Sequence, residues 1–297
     1  MNGRYPQEYC AGAGEVQAMS SPIADNARVC YLGPEGTYTE EAARFFFSSG
    51  IFRPKATVPE AIADVREGNA DYAVIPQENT LGGAVINYVD ALIAEEGVYV
   101  VGEVILPIRQ TLMGLPGAST EDIRTVLSHA QGIVQSARWR KEHLPDAVIR
   151  EMPSTAAAAS FVSKSGDKSI AAIASPGAAD LYGLAVLAKD VQVTDANQTR
   201  FYVLSSSPLK EEEEPLTHAV FIANCGADWI DDIIVGVHMS GVELVAIHDR
   251  PEGSRLGKYY YIIEVELESG ITGELLAQLE AIPEMRCRGR FNVYTKL

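Results

Sequence analysis

The sequence lacks the segments that membrane and secreted proteins require. Its richest apolar stretch, Val98–Ile108, is interrupted by a glutamate and a proline and is shorter than the ~20 residues of a membrane-spanning helix. Residues 1–26 carry charged side chains and no apolar core, so they do not predict a secretory signal. We therefore expect a cytoplasmic protein with no membrane partner, in which residues 1–27 form a disordered leader.

Cysteine is scarce and widely spaced. The four cysteines, none of which falls in a CxxC pair, are Cys10, Cys30, Cys225 and Cys287. This spacing argues against a zinc ribbon and against a dense disulfide framework. Unpaired thiols in a reducing cytoplasm are the simplest interpretation.

Basic residues are also few. Lys and Arg number 24 against 40 Asp and Glu, which gives a formal net charge of −16. Such a surface repels phosphate backbones, and the sequence has no basic cluster, so no nucleic-acid partner is expected. If the substrate is anionic, a few arginines or backbone N–H groups must concentrate positive potential locally.

Several common catalytic motifs are missing. The sequence has no GxSxG, HExxH or Walker motif, and Gly12 and Gly14 precede any predicted strand, which argues against a dinucleotide fingerprint. We expect neither a metal nor a cofactor.

What the sequence does contain is a two-part organisation. Its 297 residues exceed one average domain. Residues 205–215 read SSSPLKEEEEP, and such a run of serines, prolines and glutamates cannot form a core. We predict an acidic linker at residues 206–215, between a first domain of residues 28–205 and a second of residues 216–297.

The first segment alternates short apolar runs with amphipathic stretches. The runs predict strands at Val29–Leu32, Asp71–Ile75, Tyr99–Leu106, Thr111–Gly114, Ala147–Arg150, Ser169–Ile173 and Arg200–Ser205. The amphipathic stretches predict helices at Thr39–Phe47, Ala61–Glu67, Gln131–His143, Thr155–Lys164 and Ser175–Tyr182. This alternation predicts a mainly parallel α/β architecture with ligands on the loops beyond the carboxyl ends of the strands.

The second segment has the order βαββαβ, which is typical of a ferredoxin-like fold. The predicted strands and helices are Thr217–Ala223, Asp228–Met239, Val242–Arg250, Tyr259–Leu267, Thr272–Glu280 and Arg286–Tyr294. The segment has no catalytic constellation of its own, so we predict a small binding or dimerisation module.

Five polar clusters of the first segment follow or enter predicted strands. They are Gly33–Thr39, Pro76–Gly83, Ser128–Gln131 with Gln135, Ser154–Thr155, and Asn197–Phe201. Each has a structural interpretation beside a functional one: Thr37 could cap a helix or help to hold an anion, and Glu78 could be a surface carboxylate. His129 could be a cap or a base, and no carboxylate near it in sequence suggests a triad.

In their order along the chain, these clusters resemble the signature segments of prephenate dehydratases. The segments read GPEGTYTEEAA, IPQENTLGG, SHAQGIVQ, STAAAA, AAIASPGAADLYGLAVL and NQTRF, and the resemblance covers residues 29–204. The βαββαβ tail is similar to the ACT regulatory domain that usually follows.

The resemblance implies a fold and an activity. The fold is a two-lobed α/β catalytic domain like a periplasmic binding protein, with one lobe of about 28–106 and 190–204, the other of about 107–189, and the active site between them. The activity is the conversion of prephenate to phenylpyruvate, water and carbon dioxide in phenylalanine biosynthesis, without a cofactor. A homodimer or homotetramer with L-phenylalanine as allosteric effector is also implied.

The resemblance further implies site residues. The catalytic positions are Thr199, Glu78, Asn79, Ser128 and Gln135, and the substrate-binding positions are Thr37, Ser154, Thr155, Arg200, Phe201 and His129. Thr199 would assist departure of the hydroxyl, and Glu78 would be the ultimate acid if burial raises its pKa. Strand alternation could point Thr199 and Arg200 to opposite faces, in which case Arg200 is structural.

The chain departs from the family pattern at several positions. The motifs SHPQ and PIEN read SHAQ and PQEN, which changes a loop proline and keeps the polar pair. In the tail, the GAL stretch of the family reads Gly226, Ala227 and Asp228, and its ESRP stretch reads His248, Asp249, Arg250 and Pro251. These seven are the expected effector-binding residues. Because a carboxylate beside an apolar pocket is costly to desolvate, Asp228 predicts weaker inhibition by phenylalanine than an intact motif would give.

Two alternatives from different classes remain open at the level of sequence. An arogenate dehydratase would use the aminated analogue of prephenate, and one amine contact could decide between the two substrates. A non-catalytic two-lobed sensor of an amino acid or carboxylate would not need the leaving-group assistance that Thr199 offers. A non-aromatising prephenate decarboxylase is less favoured, since such relatives lack the threonine of the TRF motif.

Overall fold

The computed structural model describes residues 26–209 and 215–296. Most of the expected leader, including Cys10, and Glu211–Glu214 of the expected linker lie outside the described residues. Within those two ranges, Cys30, Cys225 and Cys287 are free thiols. No helix of the described ranges is long and apolar enough to cross a membrane.

Most of the strands fall at the apolar runs that predict them. In chain order they are β1 (Ala27–Leu32), β2 (Gly50–Lys55), β3 (Tyr72–Asn79), β4 (Gly83–Ala84), β5 (Tyr99–Pro107), β6 (Thr111–Gly114), β7 (Thr125–Ser128), β8 (Val148–Glu151), β9 (Ile170–Ala174), β10 (Ala185–Ala188), β11 (Gln198–Ser205), β12 (His218–Gly226), β13 (Glu243–Pro251), β14 (Lys258–Glu266), β15 (Met285–Phe291) and β16 (Val293–Thr295).

Most helices begin at a residue whose side chain can cap them. The helices are α1 (Tyr38–Phe46), α2 (Val58–Arg66), α3 (Ile86–Ala94), α4 (Ala130–Gln135), α5 (Ala137–His143), α6 (Thr155–Ser165), α7 (Pro176–Tyr182), α8 (Ile230–Met239) and α9 (Gly273–Glu280). Thr37, Thr57, Ser154 and Thr272 each accept a hydrogen bond from a backbone N–H of the first turn. The capping interpretation of Thr37 is therefore correct, Ser154 caps α6 in the same way, and both caps leave other first-turn N–H groups for a ligand.

Two sheets form two α/β lobes. The first has the order β16-β5-β11-β3-β1-β2, with β4 paired to β3, and the second has the order β10-β6-β9-β7-β8. The chain leaves the first sheet after Pro107, enters the second at Thr111, and returns between Ala188 and Gln198.

The sheets are mixed: most of their strands share one direction, as the alternation of strands and helices predicts, and a few run against it. In the first sheet β11 is antiparallel to β3 and β5, and in the second β6 is antiparallel to β9 and β10. Apart from the two-residue β4, which is antiparallel to β3, the reversed strands β11 and β6 begin just after the chain has crossed between the lobes. Each therefore starts at the edge where its antiparallel neighbours end, and the alternation of strands and helices in the sequence does not reveal this reversal.

The predicted helix Gln131–His143 is interrupted. Helices α4 and α5 meet at Ser136, whose φ and ψ are −103° and 5°. The Ser136 hydroxyl donates to the carbonyl oxygen of Gly132 at 2.6 Å. Such bonding of a serine to the preceding turn competes with regular helix geometry.

The described residues after the linker form a βαββαβ unit, which we call the C-terminal unit. Its antiparallel sheet has the order β13-β14-β12-β15. The predicted last strand, Arg286–Tyr294, is divided, because β15 ends at Phe291 and β16 pairs in parallel with β5 of the first sheet.

The C-terminal sheet packs on the first lobe. Val220, Ile222, Ile262 and Phe291 share one apolar cluster with residues of α2, α3 and the first sheet, and we call this contact the seam. At Gly289 an added Cβ would lie 2.0 Å from the Val100 carbonyl oxygen. A glycine is therefore required where β15 approaches β5.

Candidate active site

A cleft of about 400 Å³ lies between the two lobes. Eight of the predicted site residues line it: Thr37, Asn79, His129, Gln135, Ser154, Thr155, Thr199 and Phe201. A larger crevice of about 750 Å³ lies between α1 and α7, but its carboxylates Glu40 and Glu41 are paired with Arg44 and Lys296. The interlobe cleft is the one at which the signature segments meet.

Three helices begin at this cleft. The side chains of Thr37, His129 and Ser154 cap α1, α4 and α6 and also line the cleft. Among the described residues that line it, none is Asp, Glu, Lys or Arg. Positive potential in the cleft must therefore come from helix N-termini and from neutral N–H and O–H donors.

The Asn79 side chain has a determined orientation. Its Oδ1 accepts the backbone N–H groups of Leu81 at 3.1 Å and Gly82 at 3.0 Å, and the Gln131 Nε2 at 3.0 Å. Because a backbone N–H can only donate, this end of the amide must be the oxygen. The Asn79 Nδ2 then points the other way, toward β11.

Asn79 in turn orients Thr199. The Asn79 Nδ2 lies 2.8 Å from the Thr199 Oγ1 and 2.8 Å from the Asn197 Oδ1. An amide nitrogen cannot accept, so the Thr199 oxygen is the acceptor in this bond. The hydroxyl proton of Thr199 therefore remains available to a group in the cleft.

Gln135 presents a second free donor. Its Oε1 accepts from the Gln110 Nε2 at 3.0 Å, while its Nε2 is buried and has no partner among the described residues. Both glutamines line the cleft. A buried donor without a partner is costly unless a ligand or water satisfies it, so Gln135 suits substrate binding.

Glu78 lies outside the cleft, which corrects its expected role as the acid. In the pairing of β11 with β3, Arg200 opposes Glu78 and Phe201 opposes Pro76, so Gln77 is an extra, bulged residue. The bulge lets Pro76 and Asn79, three positions apart, both face the cleft. Glu78 is turned to the other face, where its Oε2 lies 3.6 Å from the Arg200 Nη1.

Arg200 also lies behind the sheet, so its expected contact with substrate is corrected and the structural alternative applies. Its Nε is 2.5 Å from the Glu103 Oε1, and its Nη2 contacts Glu264 of the C-terminal unit. Burial, together with the charge of Glu264, raises the pKa of Glu103 to about 8. The guanidinium is therefore held among carboxyl groups within the seam and is not turned to the cleft.

Ser128 is buried beneath α4 rather than in the cleft, which corrects its expected contact with the reaction. Its hydroxyl donates to the Ile173 carbonyl at 2.7 Å, and an added Cβ on Gly132 would lie 2.4 Å from it. Ser128 therefore supports the first turn of α4, which carries Gln131 and Gln135.

Three residues of the cleft and its support were not assigned from the sequence. Gln131 and Asn197 stand within recognised clusters, and their contacts with Asn79 give them a role. No sequence motif contains Gln110, because it lies on the segment that crosses between the lobes and contacts Gln135 only in the folded chain.

The expected effector-binding residues gather at one end of the C-terminal sheet. Gly226 pairs with Lys258 and Pro251 with Tyr259. The charges of Asp249 and Asp228 both act on the Tyr261 hydroxyl, whose pKa is raised first by burial.

Two of these residues turn toward the first lobe instead. The Arg250 Nε lies 2.5 Å from the Asp90 Oδ1 of α3. The His248 ring lies edge-on to Tyr88, with ring centroids 6.4 Å apart.

Comparison with known proteins agrees with the motifs in the cleft. The prephenate dehydratase family model matches residues 29–209. A prephenate dehydratase from Amycolatopsis methanolica is 32% identical over 266 residues, which are 88% of this chain and 86% of the relative.

Solved structures extend the similarity to the fold. A crystal structure of prephenate dehydratase from Arthrobacter aurescens in complex with L-Phe is 29% identical and covers 89% of each chain with a TM-score of 0.79. A structure described as a novel type of quorum quenching acylase is 25% identical, covers 89% of this chain and 97% of its own, and has a TM-score of 0.78. Because the family model spans more than half of the sequence and its motifs converge on one cleft, the chain belongs to the prephenate dehydratase family and is an enzyme of that activity.

Proposed function

We propose that Thr199 donates a hydrogen bond to the departing ring hydroxyl when the interlobe cleft converts prephenate to phenylpyruvate, water and carbon dioxide. One observation carries this role: the Asn79 Nδ2 donates to the Thr199 oxygen and so leaves the threonine proton for the substrate. Thr199 is buried at the cleft wall, where a fixed donor has more effect than in water.

The chemistry requires little else of the protein. Electrons of the breaking bond to carbon dioxide move through the ring and expel the hydroxyl, and aromatisation drives the reaction. The difficult step is departure of hydroxide, which must be hydrogen-bonded or protonated. No described lining residue is a carboxylic acid, and the His129 ring is engaged through its Nδ1 in capping α4, so we infer that solvent supplies this proton, with Thr199 as donor or relay.

The two substrate carboxylates fit the helix N-termini and the amide donors of the cleft. We place the carboxylate of the pyruvyl arm against the first turns of α1 and α6, which begin at Thr37 and Ser154. The unpartnered Gln135 Nε2 is the matching side-chain donor.

The experiment that tests this assignment separates the alternatives. Purified protein is incubated with prephenate and, separately, with arogenate, and the products are identified. Phenylpyruvate from prephenate is expected, whereas phenylalanine from arogenate alone would favour an arogenate dehydratase. Turnover of neither substrate would favour a sensor and would contradict the assignment.

We further propose that the C-terminal unit is an ACT domain that binds L-phenylalanine and inhibits the enzyme. The similar enzyme from Arthrobacter aurescens has been crystallised in complex with L-Phe, and the expected effector-binding turns meet at one end of the sheet. The carboxylates Asp228 and Asp249 on this site predict weaker binding than the family motif would give.

Phenylalanine is titrated against activity and thermal midpoint, because a ligand that binds the native state must stabilise it. Inhibition only at high concentration, with a rise in midpoint, is expected. No thermal shift would leave the C-terminal unit as a structural module, and tight inhibition would contradict the role given to Asp228.

We propose a homodimer formed through the edge of the C-terminal sheet. Strand β13 pairs only with β14 among the described strands. Leu244 and Val245 of this strand and Ile234, Val235 and Met239 of α8 are exposed. An uncovered edge with apolar side chains is a ready surface for a second copy. Sedimentation equilibrium tests the dimer, and a monomer at micromolar concentration would contradict it.

A further inference from the structure

Glu264 is a buried carboxylate of the C-terminal unit that faces the first sheet. Its side chain is 1% exposed, and its cross-strand partner Val220 belongs to the apolar cluster of the seam. A carboxylate is expensive to bury, and replacing a buried ionic network by packed apolar groups is often neutral or stabilising. Stability alone therefore does not account for a glutamate at this place.

The contacts of Glu264 are directed to two strands of the first sheet. From β11 it accepts the Arg200 guanidinium on Oε1 and the Tyr202 hydroxyl on Oε2, the latter at 2.6 Å. From β3 it accepts the Gln77 Nε2 at 3.2 Å. One carboxylate thus ties the backs of two neighbouring strands together.

The fronts of the same strands carry the reaction. Thr199 immediately precedes Arg200 and points into the cleft, and the bulge at Gln77 is what turns Asn79 to the cleft side. The Asn79–Thr199 hydrogen bond joins these two fronts at 2.8 Å. A shift of either strand by a fraction of an ångström changes this bond and the aim of the threonine proton.

We propose that Glu264 is a positioning residue for the dehydratase reaction, which fixes Asn79 and Thr199 from behind through Gln77, Tyr202 and Arg200. The inference rests on the role of Thr199 proposed above. The placement of the Asn79 and Thr199 side chains then depends in part on the C-terminal unit, even when no effector is bound.

The test uses the full chain with prephenate and begins with turnover by the unaltered protein, so that failure of the function itself is recognised first. Glu264→Gln keeps the shape of the side chain and removes its charge. Its matched control is Glu266→Gln, on the same face of the same strand, whose carboxylate pairs with His218 at 2.9 Å. We expect kcat of Glu264→Gln to fall about tenfold with KM changed less than about threefold, and the control to match the unaltered enzyme.

Two further variants keep the test decisive if Glu264→Gln does not fold. Gln77→Met preserves length and Tyr202→Phe preserves the ring, and each removes one donor to Glu264. Each is expected to lower kcat by a larger factor than it raises KM. The double variant Gln77→Met/Glu264→Gln is expected to lower kcat by less than the product of the factors of the two single variants. Folded variants with an unchanged kcat, or with losses that multiply, would overturn the proposal.

Discussion

The hydrogen bond between Asn79 and Thr199 predicts an unusual effect of Asn79→Asp. The substitution keeps the size of the side chain, and the oxygen that accepts from Leu81, Gly82 and Gln131 is retained. At the other end an oxygen replaces the nitrogen that donates to the Thr199 Oγ1 and the Asn197 Oδ1, each at 2.8 Å, and to the Gln198 carbonyl oxygen at 3.0 Å. A carboxylate there can only accept, so the threonine must turn its proton away from the substrate.

The size of the effect follows from the bond that forms. A hydroxyl bonded to a buried carboxylate gains roughly 1.5–3 kcal/mol, which must be given up before Thr199 can donate to the leaving group. Loss of one positioned donor in other enzymes costs about 10²–10³ in kcat. We therefore expect kcat to fall about 10²-fold, and KM to rise as well because the new charge repels a dianionic substrate.

The assay is a double-mutant cycle with Thr199→Ala under steady-state conditions. If Asn79 acts through the threonine hydroxyl, Thr199→Ala alone should lower kcat about 10²-fold, and adding Asn79→Asp should lower it little further. Thr199→Ser, which keeps the hydroxyl, is the control and should retain most of the activity. Multiplicative losses in the double variant would refute the role assigned to Asn79.

Other predictions concern groups outside this bond. Glu78→Gln should leave the acid limb of the pH–rate profile unchanged, because Glu78 lies behind the sheet; a flattened limb would return it to the mechanism. Burial raises the pKa of Glu103 to about 8 from an ordinary 4.5. Between these pH values the folded state keeps a proton that the unfolded state has lost. The free energy of unfolding should therefore fall as pH rises between them, by at most about 1.4 kcal/mol per pH unit. Denaturant titrations should show that Glu103→Gln flattens this slope; an equal slope in both proteins would contradict it. Gln135→Met should raise KM for prephenate more than it lowers kcat, and an unchanged KM would exclude the Gln135 Nε2 as a substrate donor.

Site residues were predicted most successfully from the sequence where their role depends on residues next to them in the chain. Thr37 and Ser154 cap helices and open onto the cleft because a cap and the N–H groups it leaves free occupy the same turn. Strand alternation already offered opposite faces for Thr199 and Arg200, and the structure selects that alternative.

The misplaced residues depended on contacts that no local pattern contains. If β3 alternated regularly after Pro76, the side chain of Glu78 would face the cleft. The single extra residue, Gln77, reverses the alternation, so that Asn79 faces the cleft and Glu78 faces away from it. Ser128 ends β7 as Asn79 ends β3, yet the acceptor of its hydroxyl, the Ile173 carbonyl, lies on a neighbouring strand far along the chain. Bulges and such distant partners are set by tertiary packing, which a periodicity does not report.

The position of Arg200 affects how this negatively charged protein binds a substrate that carries two carboxylates. The chain has a net charge of −16, and its best candidate cation is surrounded by Glu103, Glu264 and Glu78 on the far side of the sheet. Its field in the cleft is therefore largely cancelled. The remaining positive potential belongs to the helix N-termini at Thr37, His129 and Ser154, which act at short range and in fixed directions. An enzyme built in this way gains little from long-range attraction of its substrate and depends on the placement of donors, which is the property that Asn79, Gln77 and Glu264 control.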